Sequence, residues 1–306
     1  MIIPYAMKQS VTIKKITWDY IFSPSREDSA GIIREAGISA LDAEYITQSD
    51  QGPQCIVRPE YKIILLQLPV RNSTTKSIEI HAIRYIIYQH CLVTITDQKI
   101  PVLENLFAEI KSDSEPYNHK GLTPLSLAFL LIDRLNESTL KKVHHVFKRV
   151  EIAEDAVFHG NERKMVEEIA VLSRDVLDLH RVALPQKGLF QGLHRQYAFT
   201  IPEQDALARV QHQSEQLWNT LQVLHSSMQE LRSTNDSLLQ HQENELLRMI
   251  FSYSIITIPL LALVNEFNPH RAGATYIDVI LFWGIVLFLI ILLFALFARA
   301  RKRRVL

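Results

Sequence analysis

The spacing of apolar residues changes character along this chain, and each change predicts a different kind of element. In the first hundred or so positions the apolar runs are short and rich in β-branched and aromatic residues. YKIILLQLPV (61–70), IEIHAIRYIIY (78–88) and CLVTIT (91–96) read as strands, separated by RNSTTKS and by Gln89-His90. SREDSAGIIREAG and PVLENLFAEI read as helices, the second with Pro101 at its first turn. Residues 1–115 are therefore expected to form an N-terminal cytosolic α/β domain.

Beyond it the period lengthens. A helical tract is expected over about 139–184, where Met165, Ile169, Leu172, Val176, Leu179 and Ala183 form a seam. Leu184-Pro185 through Gly188 is expected to end it, within a helical hairpin region spanning 116–202. Pro202 then marks the start of a run free of Gly and Pro. From there Leu207, Val210, Ser214, Leu217, Leu221, Leu224, Met228, Leu231, Asn235, Leu238 and Gln242 alternate steps of three and four, a coiled-coil-like heptad seam. Ser214, Asn235 and Gln242 dilute it, which suits register control or a wet central passage as well as a plain oligomerising stalk.

The stalk is expected to continue without a breaker into a first membrane helix, so that one element covers 203–264. Ser252, Tyr253 and Ser254 interrupt the apolar run from Met249 to Val264, and Pro259 removes one backbone donor. Residues 279–298, VILFWGIVLFLIILLFALFA, carry no charge. Such a run at ~1.5 Å per residue spans the ~30 Å hydrocarbon layer, whereas charge-free runs of this length are rare in soluble cores. Arg248 precedes the first span, and Arg299, Arg301, Lys302, Arg303 and Arg304 follow the second, in the 299–306 tail. Positive charge at both ends predicts two spans in the inner (plasma) membrane with both termini cytoplasmic and 265–278 as an external loop.

Composition adds exclusions. The 306 residues carry 33 Lys+Arg against 33 Asp+Glu, so bulk charge proposes no nucleic-acid partner. Cys55 and Cys91 stand apart, outside any zinc spacing, as expected of reduced cytosolic thiols. The N-terminus lacks the pattern of a secretory signal. His144 and His145 are adjacent on a helix and face different directions, so they cannot jointly chelate, and His212, His225 and His241 fall outside the seam. Carboxylates at Glu151, Glu154, Asp155, Glu167, Glu168, Asp175 and Asp178 read as a hydrated surface that, between subunits, could bind divalent cations. The regulatory metal site itself is left unassigned. No nucleotide cradle and no catalytic constellation stands out, so enzyme activity is not expected.

Several strings in order resemble the CorA family of divalent-cation (magnesium/zinc) transporters, over nearly the whole chain. YKIILLQLPV followed by CLVTITDQKIPVLENL resembles the family's sheet and following helix. FKRVEIAEDAVF and VLSRDVLDLHRVALPQKGLF resemble its long cytosolic helix and the turn after it, and NELLRMIFSYSIITIPL (244–260) its passage into the first membrane helix. The resemblance implies an α+β cytosolic domain with a long helical stalk and two C-terminal transmembrane helices, assembled as a CorA-like funnel-shaped homopentamer. It implies that the first span lines a central pore through Leu247, Ile250, Ser254 and Ile258, with the second span outside. Partners would be further copies of the chain, membrane lipid and divalent cations. No permanently bound cofactor is expected, only magnesium or zinc as the transported ion and as a candidate regulatory ion.

The family's Gly-Met-Asn signature after the first span is absent, and Asn268, Pro269 and His270 occupy its place. Asn265, Glu266, Asn268 and His270 are therefore the expected external mouth, with Glu266 concentrating cations and Arg271 opposing it. Amide oxygens suit hydrated magnesium and imidazole suits softer ions such as zinc. The expected function is magnesium or zinc transport. The alternative is a non-conducting, membrane-anchored oligomeric scaffold or regulator with the same fold.

Overall fold

The computed structural model describes residues 7–48, 51–71, 78–113, 117, 121–266, 276–277, 279–288 and 291. The chain divides into two compact units, Met1–Ser233 and Thr234–Leu306. In the first, two strands and two helices, β1 (Met7–Ile13), β2 (Ile16–Phe22), α1 (Arg26–Glu35) and α2 (Ala40–Thr47), precede β3 (Gln54–Val57). β4 (Tyr61–Arg71), β5 (Ile78–Tyr88), β6 (Cys91–Thr96) and α3 (Pro101–Ser112) follow. The six strands form one sheet in the order β1-β2-β6-β5-β4-β3, antiparallel except at the β2–β6 pair.

The near-continuous apolar runs of β4 and β5 have a physical reason: both faces of the sheet are covered. Ile64, Leu66, Leu68, Ile83, Tyr85 and Ile87 join the core beneath α3 and the long helices. Ile63, Leu65, Ile86 and Tyr88 join the opposite core with Ile32 of α1 and Ile46 of α2. Two buried polar side chains of β2 are hydrogen-bonded. Trp18 donates from its indole to Thr94 Oγ1 at 3.0 Å, and the Tyr20 hydroxyl accepts from the Ile100 amide at 3.1 Å.

The helical region differs from the single tract expected over 139–184. It is two antiparallel helices, α4 (Pro124–Phe158) and α5 (Glu162–Gln196), and the turn between them lies at His159–Asn161, where Gly160 takes a positive φ of 82°. Thr123 caps α4 in a capping box with Ser126, and Pro124 fits the first turn, whose amide has no helical partner in any case. α5 does not stop at Pro185 as expected. The buried side chains Val182, Ala183, Gln186, Phe190 and Leu193 hold it helical across the proline and across Gly188. Packing outweighs the loss of one backbone hydrogen bond there.

The next helix, α6, is continuous from Ile201 to Glu266, so the stalk and the expected first span are one element. Its opening is tied to α4: Thr123 Oγ1 donates to Glu203 Oε1 at 2.8 Å, and the other carboxylate oxygen accepts from the Thr200 amide at 2.9 Å. The heptad positions from Leu207 to Asn235 are all buried. Within the first unit they meet this chain's own helices. Leu207 and Val210 pack with Phe129, Ile132 and Phe190, and Ser214 accepts a hydrogen bond from Asn136 of α4. The polar layer at 214 is thus a paired buried contact and not a wall of a wet passage.

Candidate functional site

In the second unit α6 changes surface. Leu247, Ile250 and Ile258 are 49%, 58% and 66% exposed, and Leu246, Phe251, Ile255 and Leu261 are exposed as well. At about 100° per residue, positions 247, 250, 254 and 258 fall within roughly 80° of arc, so they form one stripe along the helix. Leu261 continues it, a position the sequence reading omitted although the same three-and-four spacing reaches it. Each exposed branched side chain withholds about 1.5–3 kcal/mol that burial would provide, and a contiguous stripe of them is a surface built to be covered.

The polar residues on this stretch soften that picture little. Ser254 donates to the Ile250 carbonyl at 2.9 Å, Ser252 to Arg248 at 2.8 Å, and Thr257 to Tyr253 at 2.7 Å. Each hydroxyl proton is spent inside the helix, leaving only oxygen lone pairs outward. Pro259 is accommodated without ending the helix, and its missing amide leaves the Ile255 carbonyl without its helical donor.

Of the expected mouth, Asn265 and Glu266 are the last residues of α6, their side chains lying outside the described ones, and position 265 falls on the 247–258 face by register. Asn268 and His270 lie outside the described residues, as do Arg271 and the 299–306 tail. Of the expected second span, 279–288 are helical, with Ile280, Trp283, Leu287 and Phe288 exposed, while most of 289–298 lies outside the described residues. Among the described residues no helix is long and apolar enough to cross a membrane.

The remaining candidates lie in the first unit. Among the described residues no group of three or more His, Cys, Asp and Glu side chains is arranged to hold a metal ion. Several hairpin carboxylates are instead paired with arginines of the hairpin, across its two helices or within α5. Arg149 reaches Glu168 at 2.7 Å and Asp175 at 3.3 Å, while Asp178 lies 3.9 Å from Arg174 and 4.0 Å from Arg181. His144 and His145 are exposed and His144 contacts the Leu140 carbonyl. His225 is not simply solvated as expected. Its ring lies 5.4 Å from that of His180, which packs at 4.4 Å on Trp218, and burial together with His225 lowers the His180 pKa. Two polar clusters were missed by sequence reading. Asp42 is clasped by Arg58 and Tyr61, and the buried Arg84 guanidinium bonds Asp97 at 3.0 Å and the Gln48 carbonyl at 2.9 Å. Their partners are too far apart in sequence for spacing to reveal them.

Comparison with known proteins supplies the context for this geometry. The model of the CorA-like Mg2+ transporter protein family matches residues 14–302. The cobalt/magnesium transport protein CorA of Methanocaldococcus jannaschii is 21% identical over 260 residues, covering 80% of this chain and 77% of that protein. The complete structure of the CorA magnesium transporter from that organism superposes with a TM-score of 0.75 at 15% identity, covering 95% of this chain and 98% of the other. The full-length CmaX protein superposes with a TM-score of 0.72 at 14% identity, covering 94% and 88%. At such identities the structural likeness is one of fold.

Proposed function

This chain belongs to the CorA-like Mg2+ transporter family, and from that premise we propose that it conducts divalent cations, magnesium or zinc, across the inner membrane. In this reading five copies assemble around an axis, each giving the exposed face of α6 at Leu247, Ile250, Ser254 and Ile258 to a central pore. The observation that carries it is that stripe. It is apolar, uncovered and part of a helix unbroken from Ile201 to Glu266. Rings of Leu and Ile side chains close a narrow passage to water and so to hydrated ions, while the Ser254 oxygens offer one polar level within it.

At the outer end Asn265, Glu266, Asn268 and His270 form the mouth. Glu266 raises the local cation concentration, and the amide oxygens bond the water shell that magnesium gives up reluctantly. His270, standing where relatives carry the signature Asn, offers an imidazole, which favours zinc over magnesium. Both termini face the cytoplasm.

Purified protein in liposomes, assayed for magnesium and zinc flux with and without a proton gradient, tests this. Saturable flux of either ion is the expected result. No flux of any divalent cation under any gradient would establish the alternative, a membrane-anchored scaffold that keeps the fold without conducting.

A further inference from the structure

Where α4 and α5 pass the β4–β5 end of the sheet, they leave a cavity of about 320 Å3. Pro69, Ile78, Val146 and Leu179 give it apolar walls, with Ser138 and Lys142 among its polar lining groups. That volume is within the range of small-molecule pockets, which are mostly apolar with a few placed polar groups.

Lys142 gives the cavity its sign. Its half-buried ammonium donates to the Pro69 carbonyl at 2.9 Å, which uses one of its three N–H groups on a neutral acceptor. Burial lowers its pKa, and no carboxylate counters that shift. The carboxylate that does line the cavity, Asp175, is bonded by Arg149 at 3.3 Å. Lys141 and His145 stand at the exposed rim, Lys141 held by Glu137 at 2.9 Å. Among the described residues the Lys142 ammonium bonds only a carbonyl, since the lining carboxylate is taken by Arg149, and a half-buried cation so placed is costly unless an anion joins it.

We propose that this cavity binds a small organic anion, a carboxylate on a compact apolar body, with Lys142 as the anchor of the carboxylate. The apolar walls take the body, and Lys141 and His145 line the exposed mouth. A bare inorganic anion would leave the Ile78, Val146 and Leu179 surfaces unused, and a neutral apolar molecule would leave the ammonium uncompensated. The site is separate from the α6 stripe and does not depend on the transport reading.

Titration calorimetry of the full chain in detergent micelles tests it, with benzoate as probe, benzyl alcohol as the uncharged control and acetate as the control without a body. Benzoate is expected to bind saturably, and both controls at least tenfold more weakly. Lys142→Met is expected to weaken benzoate at least tenfold, and Ser138→Phe, which fills the recess but keeps the amine, to abolish binding. Should Lys142→Met not fold, Ser138→Phe decides alone. The proposal is overturned by equal binding of benzyl alcohol, by undiminished benzoate binding in either variant, or by no saturable binding up to about 10 mM. Because no ion flux is read, a failure here leaves the transport reading untouched, and the reverse holds.

Discussion

Asn136 of α4 donates from Nδ2 to the hydroxyl oxygen of Ser214 on α6 at 3.1 Å, and both residues are buried. The pair fixes the register of two parallel helices at the one polar heptad position of the first unit, where an apolar residue would allow sliding. Ser214→Ala would leave the amide a buried donor without its partner, at about 1–3 kcal/mol, whereas replacing both partners with apolar residues is close to neutral. Thermal unfolding followed by circular dichroism should therefore show a midpoint several degrees lower for Ser214→Ala, largely restored by adding Asn136→Leu. Equal midpoints for the single and double variants would mean that the two side chains do not act as a pair.

Asp42 gives a prediction about acid. Its carboxylate accepts from Arg58 Nε at 2.8 Å and Nη2 at 3.0 Å and from the Tyr61 hydroxyl at 2.6 Å. The Arg58 bond is the largest influence, and the pKa is held down to about 2 against the opposing effect of burial. A depressed folded-state value contributes stability that is complete above the unfolded pKa, near 4, and is lost as pH falls through the folded one. Arg58 is half exposed, so solvent screens much of the pair's contribution. In urea titrations Asp42→Asn should be less stable than the wild type at neutral pH. The gap should close between about pH 4 and pH 2. A gap that persists at pH 2 would assign the loss to packing.

Legibility followed burial. β4, β5 and β6 were readable because Ile63 to Leu66 and Tyr85 to Tyr88 are apolar on both faces, a pattern only a covered sheet sustains. β1, MKQSVTI, was not readable. It is an edge strand paired on one side only, and Lys8, Ser10 and Thr12 alternate outward. The short edge strand β3 escaped for the same reason. The α6 seam was readable as a seam, but Ser214 did not announce whether it faced a passage or a partner, because Asn136 stands 78 positions away. Positions 247, 250, 254 and 258 were picked out through the family resemblance, and α5 was misjudged at its start, Glu162, and at one later residue.

That residue, Pro185, is exposed inside α5 while Val182, Ala183 and Gln186 beside it are buried. A proline within a helix costs up to about 3 kcal/mol through its missing amide and its ring, and part of this is offset by a stiffer unfolded chain. Pro185→Ala restores a donor for the Arg181 carbonyl without touching the core. It should raise stability by about 1–2 kcal/mol, seen as a higher urea midpoint with an unchanged slope. A lower midpoint would show that the core around α5 is fitted to the proline's local distortion.

The stripe itself is tested by comparing two faces of one helix. Ile250→Ser and Ile258→Ser place hydroxyls on the proposed constriction, and a passage closed by apolar rings opens to water when a ring is made polar. Met249 lies about half a turn round the helix from the stripe, so Met249→Ser alters hydropathy on the same segment but not on that face. In liposomes with an entrapped magnesium indicator, the two stripe variants should raise the rate of influx severalfold over wild type, and Met249→Ser should not. The sign is informative because a purely destabilising serine would lower flux at all three positions. Equal rates at 249, 250 and 258 would take the stripe off the conduction path.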